Sequence, residues 1–506
     1  MTTLEGREPV TAAFKATVAR GAAAVTVAQW LGLVVNLLST VVLARLLAPA
    51  DYGLVAMATA VVGLAWLLQD LGLAQATIQA AEVDAGKLTA LFWIGTAFGA
   101  LVALGLAVCA GAVAGFYDEP RVARLTIALS ATCLLTGLGA QHRALLVREL
   151  RFTAVALIGL LASLAGSIVG VTAAMAGAGY WALVAMYLVN AACSAGGCWI
   201  AHAWRPSWPR RGSGIRPMLR FGGALTVGNV LNYVARNLDN VLIGRVWGPE
   251  PLGLYSRAYA LMMLPLNQFN APVSSVAVPA LSRVQDDPAR FGAVFQQALS
   301  AVAFCGIPLF LAVAVLSREI VAILFGDRWL EAAPIVTVLA LAGAVQPLTH
   351  ATGWVYIALG RADRMAKWAG VSTGVLALSF ASGLPWGPLG VAIGYAVGVY
   401  ALAFPAIVAA CHESPIRPWM FGRAAARPAL LGVAFAGGAA ATRLLQAPGA
   451  PASHALAVSV LGGGLACLAL VAASPTIRLE IASLLRLVRL AAGPGASMAR
   501  APEGTS

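Results

Sequence analysis

Charged side chains are scarce in this sequence. Asp, Glu, Lys and Arg together supply 10% of its 506 residues, whereas 60% are hydrophobic. The mean hydropathy of +0.84 lies far above the range of water-soluble globular proteins. This shortage of charge excludes a soluble fold and indicates a protein whose main solvent is the lipid bilayer.

Paired cysteines and catalytic motifs are missing as well. The seven cysteines are scattered through apolar stretches without CxxC spacing, and the five histidines are dispersed. The sequence contains no GxxxxGKS or GxxxxGKT phosphate loop and no HExxH motif. We therefore expect a protein that is not an enzyme, that needs no metal or cofactor, and that draws energy from ion or voltage gradients rather than from ATP.

Apolar windows of about 20 residues recur along the chain, the length that a helix needs to cross roughly 30 Å of hydrocarbon. The first window begins near Gly21 and lacks a small-residue cleavage site, so we interpret it as a retained helix. The pattern predicts an all-α integral membrane protein with about fourteen transmembrane helices. They are expected at 22–46, 53–77, 88–113, 122–145, 153–177, 180–203, 221–246, 252–280, 291–316, 331–358, 364–383, 388–411, 424–444 and 452–474.

Lys and Arg are unevenly distributed between the connections. With the N-terminus in the cytoplasm, the inward side holds 24 of them and the outward side 7, while Arg236 and Arg257 lie inside windows. Cytoplasmic connections of membrane proteins carry such an excess, so we predict that both termini are cytoplasmic. The net charge of +13 is then explained by membrane orientation and not by nucleic-acid binding.

The chain contains an internal repeat. Residues 26–60 and 226–260, compared without gaps, share twelve identities in 35 positions, where roughly three are expected by chance. Both copies start on the inner side, so the repeat is parallel, as in transporters whose two halves rock around a central cavity. The expected organisation is an N-terminal six-helix lobe (1–204), a basic cytoplasmic linker (205–220), a C-terminal six-helix lobe (221–411), two additional helices (412–475) and a cytoplasmic tail (476–506).

Polar residues inside the windows are the candidate binding groups, because their exposure to lipid is costly. In the seventh window, Asn229, Asn232, Arg236, Asp239 and Asn240 follow helical spacing and share one face. Two interpretations stay open for Arg236 and Asp239, which are three residues apart. In the first, they form a structural ion pair. In the second, they contact an anionic headgroup directly, because arginine presents a planar fork of donors suited to phosphate oxygens.

The first window offers a matching polar face. Gln29 and Asn36 occupy the positions equivalent to Asn229 and Arg236 in the repeat, so each half is expected to turn a polar stripe towards the same pseudo-axis. The predicted cavity is therefore polar without being densely charged.

Four further residues are weaker candidates. Arg257 and Gln268, in the eighth window, extend the cavity wall or make interhelical hydrogen bonds. Asp70 and His350 are titratable groups of the kind that a proton or ion relay needs. An interfacial cap for Asp70 and an interhelical hydrogen bond for His350 are the simpler interpretations.

Seven short motifs distributed along the chain carry a resemblance to a known family. Together they resemble the Wzx-type polysaccharide exporters of the multidrug, oligosaccharidyl-lipid and polysaccharide flippase superfamily. The motifs are RLLAPADYG (45–53), DLGL (70–73), RFG (220–222), NLDNVLIG (237–244), LGLYSRA (252–258), PALSRVQDD (279–287) and LFGDRW (324–329).

The resemblance implies a fourteen-helix fold with two six-helix lobes. It also implies export of an undecaprenyl-diphosphate-linked oligosaccharide across a bacterial inner membrane, for capsule, exopolysaccharide or lipopolysaccharide O-antigen assembly. The implied partners are the lipid-linked cargo, membrane lipids and a polysaccharide polymerase or export machinery, with the transporter itself monomeric. In this family, cationic residues of the central cavity contact the anionic cargo. The resemblance assigns this role to Arg236, with Asp239 beside it.

Two alternatives stay open. A cation-coupled drug or metabolite antiporter on the same fold needs an intramembrane carboxylate in the N-terminal half, where Asp70 is the one candidate. A membrane glycosyl polymerase needs a sizeable extracytoplasmic loop for its catalytic residues, and the predicted outward connections are short. The flippase is the function that the resemblance favours.

Overall fold

The apolar windows form helices throughout the described chain. The computed structural model describes residues 8–70, 74, 77–78, 84–208, 233–234, 236–446 and 450–482, with side chains from residue 25 onwards except at 68–70, 235 and 269. The helices are α1 (Glu8–Leu46), α2 (Pro49–Asp70), α3 (Ala85–Tyr117), α4 (Arg121–Arg148), α5 (Phe152–Met175), α6 (Trp181–Ala201), a helix over 236–247, α7 (Pro249–Arg283), α8 (Pro288–Val315), α9 (Ser317–Leu324), α10 (Ala332–Ala358), α11 (Ala362–Gly383), α12 (Gly387–Cys411), α13 (Pro418–Leu444) and α14 (Ala452–Ala473).

Each of the fourteen predicted windows contains helix where it is described, which confirms the all-α membrane fold. Within the described residues, eleven stretches are long and apolar enough to cross a membrane, judged by length and composition, and one of them, Ala362–Cys411, covers both α11 and α12. The 3₁₀ turn Leu384–Trp386 separates those two helices. The chain is therefore a multi-pass membrane protein.

The outer surface of the helices is apolar. On α3, Leu101 and Leu104 are each 62% exposed and Val108 is 75% exposed. On α14, Leu461, Leu465 and Leu468 expose 66% each. So much exposed leucine is unfavourable in water, so these faces lie against lipid chains.

Two compact units are present. The first comprises Met1–Arg257, Leu324–Glu331 and Phe380–Val391. In it α3 packs on α4, α5 packs on α6, and α4 also packs on α2 and α6. Fully buried apolar side chains such as Leu54, Leu125 and Leu129 fill this core. The predicted division into two six-helix lobes stays a prediction.

The two copies of the repeat meet reciprocally at the start of α2 and the start of α7. A Cβ atom added to Gly53 would overlap the carbonyl oxygen of Pro249, and one added to Gly253 would overlap the carbonyl oxygen of Pro49. Each position differs from its counterpart by the repeat offset of 200. Glycine is required at both because the two backbones touch without room for a side chain. We call Pro49, Gly53, Pro249 and Gly253 the reciprocal crossing.

The second unit comprises Ala258–Ile323, Ala332–Ser379 and Ala392–Ser506. Its core is a cluster of buried aromatic and aliphatic side chains that includes Phe291, Phe295, Trp354 and Phe421. Helix α8 packs against α10 and α13, and α13 packs against α14. The indole nitrogen of Trp354 donates to the hydroxyl of Ser274 at 2.7 Å, which satisfies its one donor in the interior.

Ion pairs attach α13 to its surroundings in the second unit. Arg443, at the end of α13, donates from Nε to a carboxylate oxygen of the buried Glu319 at 3.0 Å. Arg427 pairs with Glu480, which follows α14. The two additional C-terminal helices are thus integral parts of this unit, and the first residues of the predicted tail are attached to it. The rest of that tail, 483–506, and linker residues 209–220 lie outside the described residues.

Candidate functional site

Helix α1 exposes two opposite faces of different polarity. Val27, Leu31, Val34 and Leu38 recur at steps of four, three and four, and they are between 48% and 61% exposed. Gln29 and Asn36, seven residues apart, are also exposed, on the opposite side of the helix. An exposed apolar face contacts lipid, whereas exposed amide side chains need water or a polar ligand. One side of α1 therefore faces lipid, and the other faces a polar space.

The 236–247 helix repeats this arrangement. Val234, just before it, is 47% exposed, and Arg236, two residues later and so on the opposite side, is exposed as well. These are the repeat counterparts of Val34 and Asn36, so the second copy places a guanidinium where the first places an amide. The predicted contributors Asn229 and Asn232 lie outside the described residues.

Asp239 is buried, with an exposed fraction of 1%. One carboxylate oxygen accepts a hydrogen bond from the Tyr255 hydroxyl at 2.8 Å, and the other accepts one from the Asn240 backbone amide at 2.8 Å. The carboxylate therefore ties the 236–247 helix to α7. Its burial favours a structural role over direct contact with a ligand, and the ion pair with Arg236 that the spacing predicts stays a prediction.

Arg257 lies over the ring of Tyr52, with its guanidinium carbon 4.6 Å from the ring centre. This is a cation–π contact, which stabilises a cation away from bulk water. Three atoms in this region are buried and have no hydrogen-bond partner among the described residues: Arg257 Nε, the Tyr52 hydroxyl and Asn240 Oδ1. Buried polar atoms are rarely left unpaired, so these groups have hydrogen-bonding capacity for water or a ligand.

Sequence reasoning named Arg257 and Asn240 but missed Tyr52 and Tyr255. Both tyrosines lie in the motifs RLLAPADYG and LGLYSRA, which are otherwise read as helix starts. The two motifs are the signal that could have identified these tyrosines, because each motif places a tyrosine hydroxyl near the start of a helix. An aromatic residue in an apolar window does not by itself indicate a polar contact.

Three candidate residues remain, Gln268, His350 and Asp70. Gln268, on α7, is half-buried and belongs to the second unit, and His350, on α10 of the same unit, is exposed. Beside His350 on that helix, the buried Gln346 donates to the Tyr395 hydroxyl at 3.1 Å. Asp70 ends α2, and its side chain lies outside the described residues. A proton or ion role for Asp70 and His350 stays a prediction.

Comparison with known protein sequences gives a consistent result. A family model described as "Polysaccharide biosynthesis protein" matches residues 42–334. The lipopolysaccharide biosynthesis protein WzxC of Escherichia coli is 29% identical over 65% of this chain and 67% of its own length. The teichuronic acid biosynthesis protein TuaB of Bacillus subtilis is 27% identical over 62% of this chain and 65% of its own length. The succinoglycan biosynthesis transport protein ExoT of Rhizobium meliloti is 25% identical over 60% and 62% respectively. The chain thus matches about two thirds of each relative.

Solved structures with the same fold are transporters. The lipid II flippase MurJ, in an inward closed conformation, superposes with a TM-score of 0.70 at 14% identity, covering 88% of this chain and 97% of that one. An inward-facing multidrug resistance transporter of the MATE family gives a TM-score of 0.59 at 15% identity, covering 78% and 95%. At such low identity the likeness shows the fold alone.

Proposed function

Because this chain belongs to the polysaccharide biosynthesis protein family whose model matches residues 42–334, we propose that it is a flippase for an undecaprenyl-diphosphate-linked oligosaccharide. The cargo is a repeat unit of a capsule, exopolysaccharide or O-antigen, and the membrane is the bacterial inner membrane. The relatives' names, which include a biosynthesis transport protein, support transport within polysaccharide assembly. The charge bias of the connections supports cytoplasmic termini.

The observation that carries the proposal is the pair of polar faces on α1 and on the 236–247 helix. Gln29 and Asn36 on one, and Arg236 on the other, are exposed opposite apolar faces that contact lipid. A hydrophilic headgroup crossing the membrane needs such a polar path while its polyprenyl tail stays in lipid. Arg236 is the group suited to the diphosphate, because its planar fork donates two hydrogen bonds to phosphate oxygens.

The other residues take supporting positions. Asp239 and Tyr255 hold the 236–247 helix in place, so that Arg236 keeps its orientation. The unpaired hydrogen-bonding atoms of Asn240, Arg257 and Tyr52 are buried, so they are suited to ordered water beside the path. The contribution of Gln268 to the path stays a prediction.

Membrane voltage supplies the driving force in this proposal. Moving one charge is worth about 2.3 kcal/mol per 100 mV, so an anionic diphosphate leaving a negative cytoplasm moves downhill. Flipping in inverted vesicles should respond to an imposed potential. A rate that ignores both voltage and pH gradient would remove this account of the energy source.

The experiment is deletion of the gene in its own host, with surface polysaccharide and lipid-linked oligosaccharide measured in parallel. Loss of surface polymer together with accumulation of the lipid-linked unit on the cytoplasmic side is expected. Reintroducing the wild-type gene should restore display. Loss of drug tolerance with normal polymer display would instead establish the antiporter.

Arg236→Gln is the test of the proposed diphosphate contact. Display should fall by about tenfold or more, because a hydrogen bond to a charged group contributes about 1.5–3 kcal/mol. Arg124→Gln is the matched control, since Arg124 is an exposed arginine on α4 and has no place in the polar path. Full display with Arg236→Gln at equal protein level would refute the contact.

A further inference from the structure

A separate cavity lies in the first unit, lined by α2, α3, α4 and α6. Its volume is about 730 Å³, which is within the range of small-molecule sites of about 300–1,000 Å³. Ala74 and Ile78, in the connection after α2, also line it. The cavity therefore reaches the end of the bundle that the charge bias predicts to be cytoplasmic. None of the polar path residues Gln29, Asn36 or Arg236 lines it.

Helical spacing places polar side chains along two walls. On α4, Thr132, Thr136 and Arg143 recur at steps of four and seven, which keeps them on one face. On α6, Tyr187, Asn190 and Ser194 recur at steps of three and four. The two walls converge where a Cβ on Gly139 would approach Ala195 Cα to 2.9 Å, so small residues close the gap between the helices.

Some polar groups of this cavity are already satisfied. The Trp66 indole nitrogen donates to the Thr132 hydroxyl at 2.9 Å, and the Thr136 hydroxyl donates to the Thr132 carbonyl oxygen at 2.8 Å. The Gln141 side-chain oxygen accepts from the Thr77 hydroxyl at 3.0 Å. These hydrogen bonds hold the bonded side chains of the cavity wall in fixed orientations.

Other polar groups at the cavity have no bonding partner in the part of the chain that the structure describes. Among the described residues, no hydrogen bond or ion pair engages Arg143, Asn190 or Ser194. Arg143 is exposed, and it is the single charged side chain among the described residues that line the cavity. The chain thus sets five guanidinium donors, an amide and a hydroxyl around one space.

The aromatic part of the lining completes the chemistry. Trp66 and Tyr187 lie with ring centres 6.3 Å apart and planes tilted by 45°. Ring faces pack against the C–H surfaces of sugar rings, while hydroxyls and amides bind sugar hydroxyl groups. The arginine, with no carboxylate among the described lining residues to neutralise it, favours a ligand with negative charge.

We infer that this cavity is a binding site for an anionic saccharide, whose carboxylate pairs with Arg143 and whose hydroxyl groups bind Asn190 and Ser194. The choice of a saccharide rests on the proposed function, whereas the charge and the hydrogen-bonding capacity come from the residues themselves. Two kinds of molecule carry this combination of carboxylate and hydroxyl groups: the acidic sugars of the lipid-linked cargo, and a free acidic sugar of the cytoplasm.

The test is calorimetric titration of the purified full-length protein in detergent with trigalacturonate and with the neutral maltotriose. Wild-type protein is expected to bind trigalacturonate saturably and at least about tenfold more tightly than maltotriose, as expected for a charge-assisted pair. Arg143→Gln should remove this preference. Asn190→Ala should weaken both sugars. Arg124→Gln, at the other end of the same helix and outside the cavity, should bind like wild type.

The outcomes separate the inference from the proposed function. Absence of saturable trigalacturonate binding, or an unchanged preference in Arg143→Gln, overturns the inference whatever the deletion experiment shows. Binding that depends on Arg143 supports it even if polymer display is independent of the gene. With binding established, reduced display of an acidic polymer in Arg143→Gln identifies the cargo as the source, and unchanged display identifies a free acidic sugar.

Discussion

Asp239 shows how a polar residue in a membrane span acquires its role from its neighbours. Spacing alone places it beside Arg236 on one helical face, whereas the structure buries it and supplies two hydrogen-bond donors. Periodicity predicts which residues share a face of a helix, but it does not predict how deeply the neighbouring helix covers each of them. The same limit explains why Arg143 and Asn190, which lie on different helices, could not be grouped from the sequence.

Tyr255→Phe removes one of the donors to Asp239 without changing the packing of the ring. The change should lower the free energy of unfolding by about 1–3 kcal/mol, because a buried carboxylate loses a partner. Thermal unfolding in detergent measures it. Tyr400→Phe is the control, since the Tyr400 hydroxyl also donates one hydrogen bond, to the Leu341 carbonyl oxygen, from a more exposed position. Equal loss in both variants would contradict a special role for the Asp239 contact.

Arg443→Met leaves the carboxylate of Glu319 buried without its counterion. We expect destabilisation of about 1–3 kcal/mol, below the full cost of a broken buried pair because Arg443 is partly exposed. Glu319→Leu in the same chain should recover most of the loss, since the uncompensated charge is then gone. A double-mutant cycle of thermal unfolding measures the coupling, and simple additivity of the two changes would show that the pair does not matter.

At the scale of helices, hydropathy was sufficient to predict the fold. Every window of about 20 apolar residues became a helix where the structure describes it, because a backbone in lipid has to satisfy its own hydrogen bonds. The repeat was also visible as an identity pattern at an offset of 200. What the pattern could not show is that the two copies touch crosswise at these positions, with Gly53 against Pro249 and Gly253 against Pro49.

Gly53→Ala and Gly253→Ala should each disrupt the reciprocal crossing. The added methyl group meets a backbone carbonyl, which cannot rotate away as a side chain can, so the cost should exceed the usual 1–3 kcal/mol of overpacking, at about 3 kcal/mol or more. Yield of monodisperse protein and its thermal midpoint are the measurements.

Gly32→Ala is the matched control for the crossing. It lies on α1 with nothing within 4 Å of an added Cβ, so it should be neutral or slightly stabilising, as alanine favours helix over glycine by about 1 kcal/mol. Wild-type stability in both crossing variants would show that the backbones are further apart than described.

At the scale of the whole molecule, the charge bias makes a prediction about orientation. In a chain whose native cysteines are replaced by serine, Ala176→Cys should react with an impermeant maleimide in intact spheroplasts. Asp286→Cys should react only after the membrane is opened, because its connection is on the basic, cytoplasmic side. Both positions are exposed between helices. The reverse labelling pattern would invert the topology and place the N-terminus outside.

The reciprocal crossing has a consequence for inheritance. Pro49 faces Gly253 and Pro249 faces Gly53, so after an ancestral gene had doubled, these codons of the two copies could no longer change independently. Whether a substitution in one half is tolerated depends on the residue that it contacts in the other half. Recombinant genes that join one half of this chain to the opposite half of a distant relative should therefore survive selection only when the donor preserves both small residues.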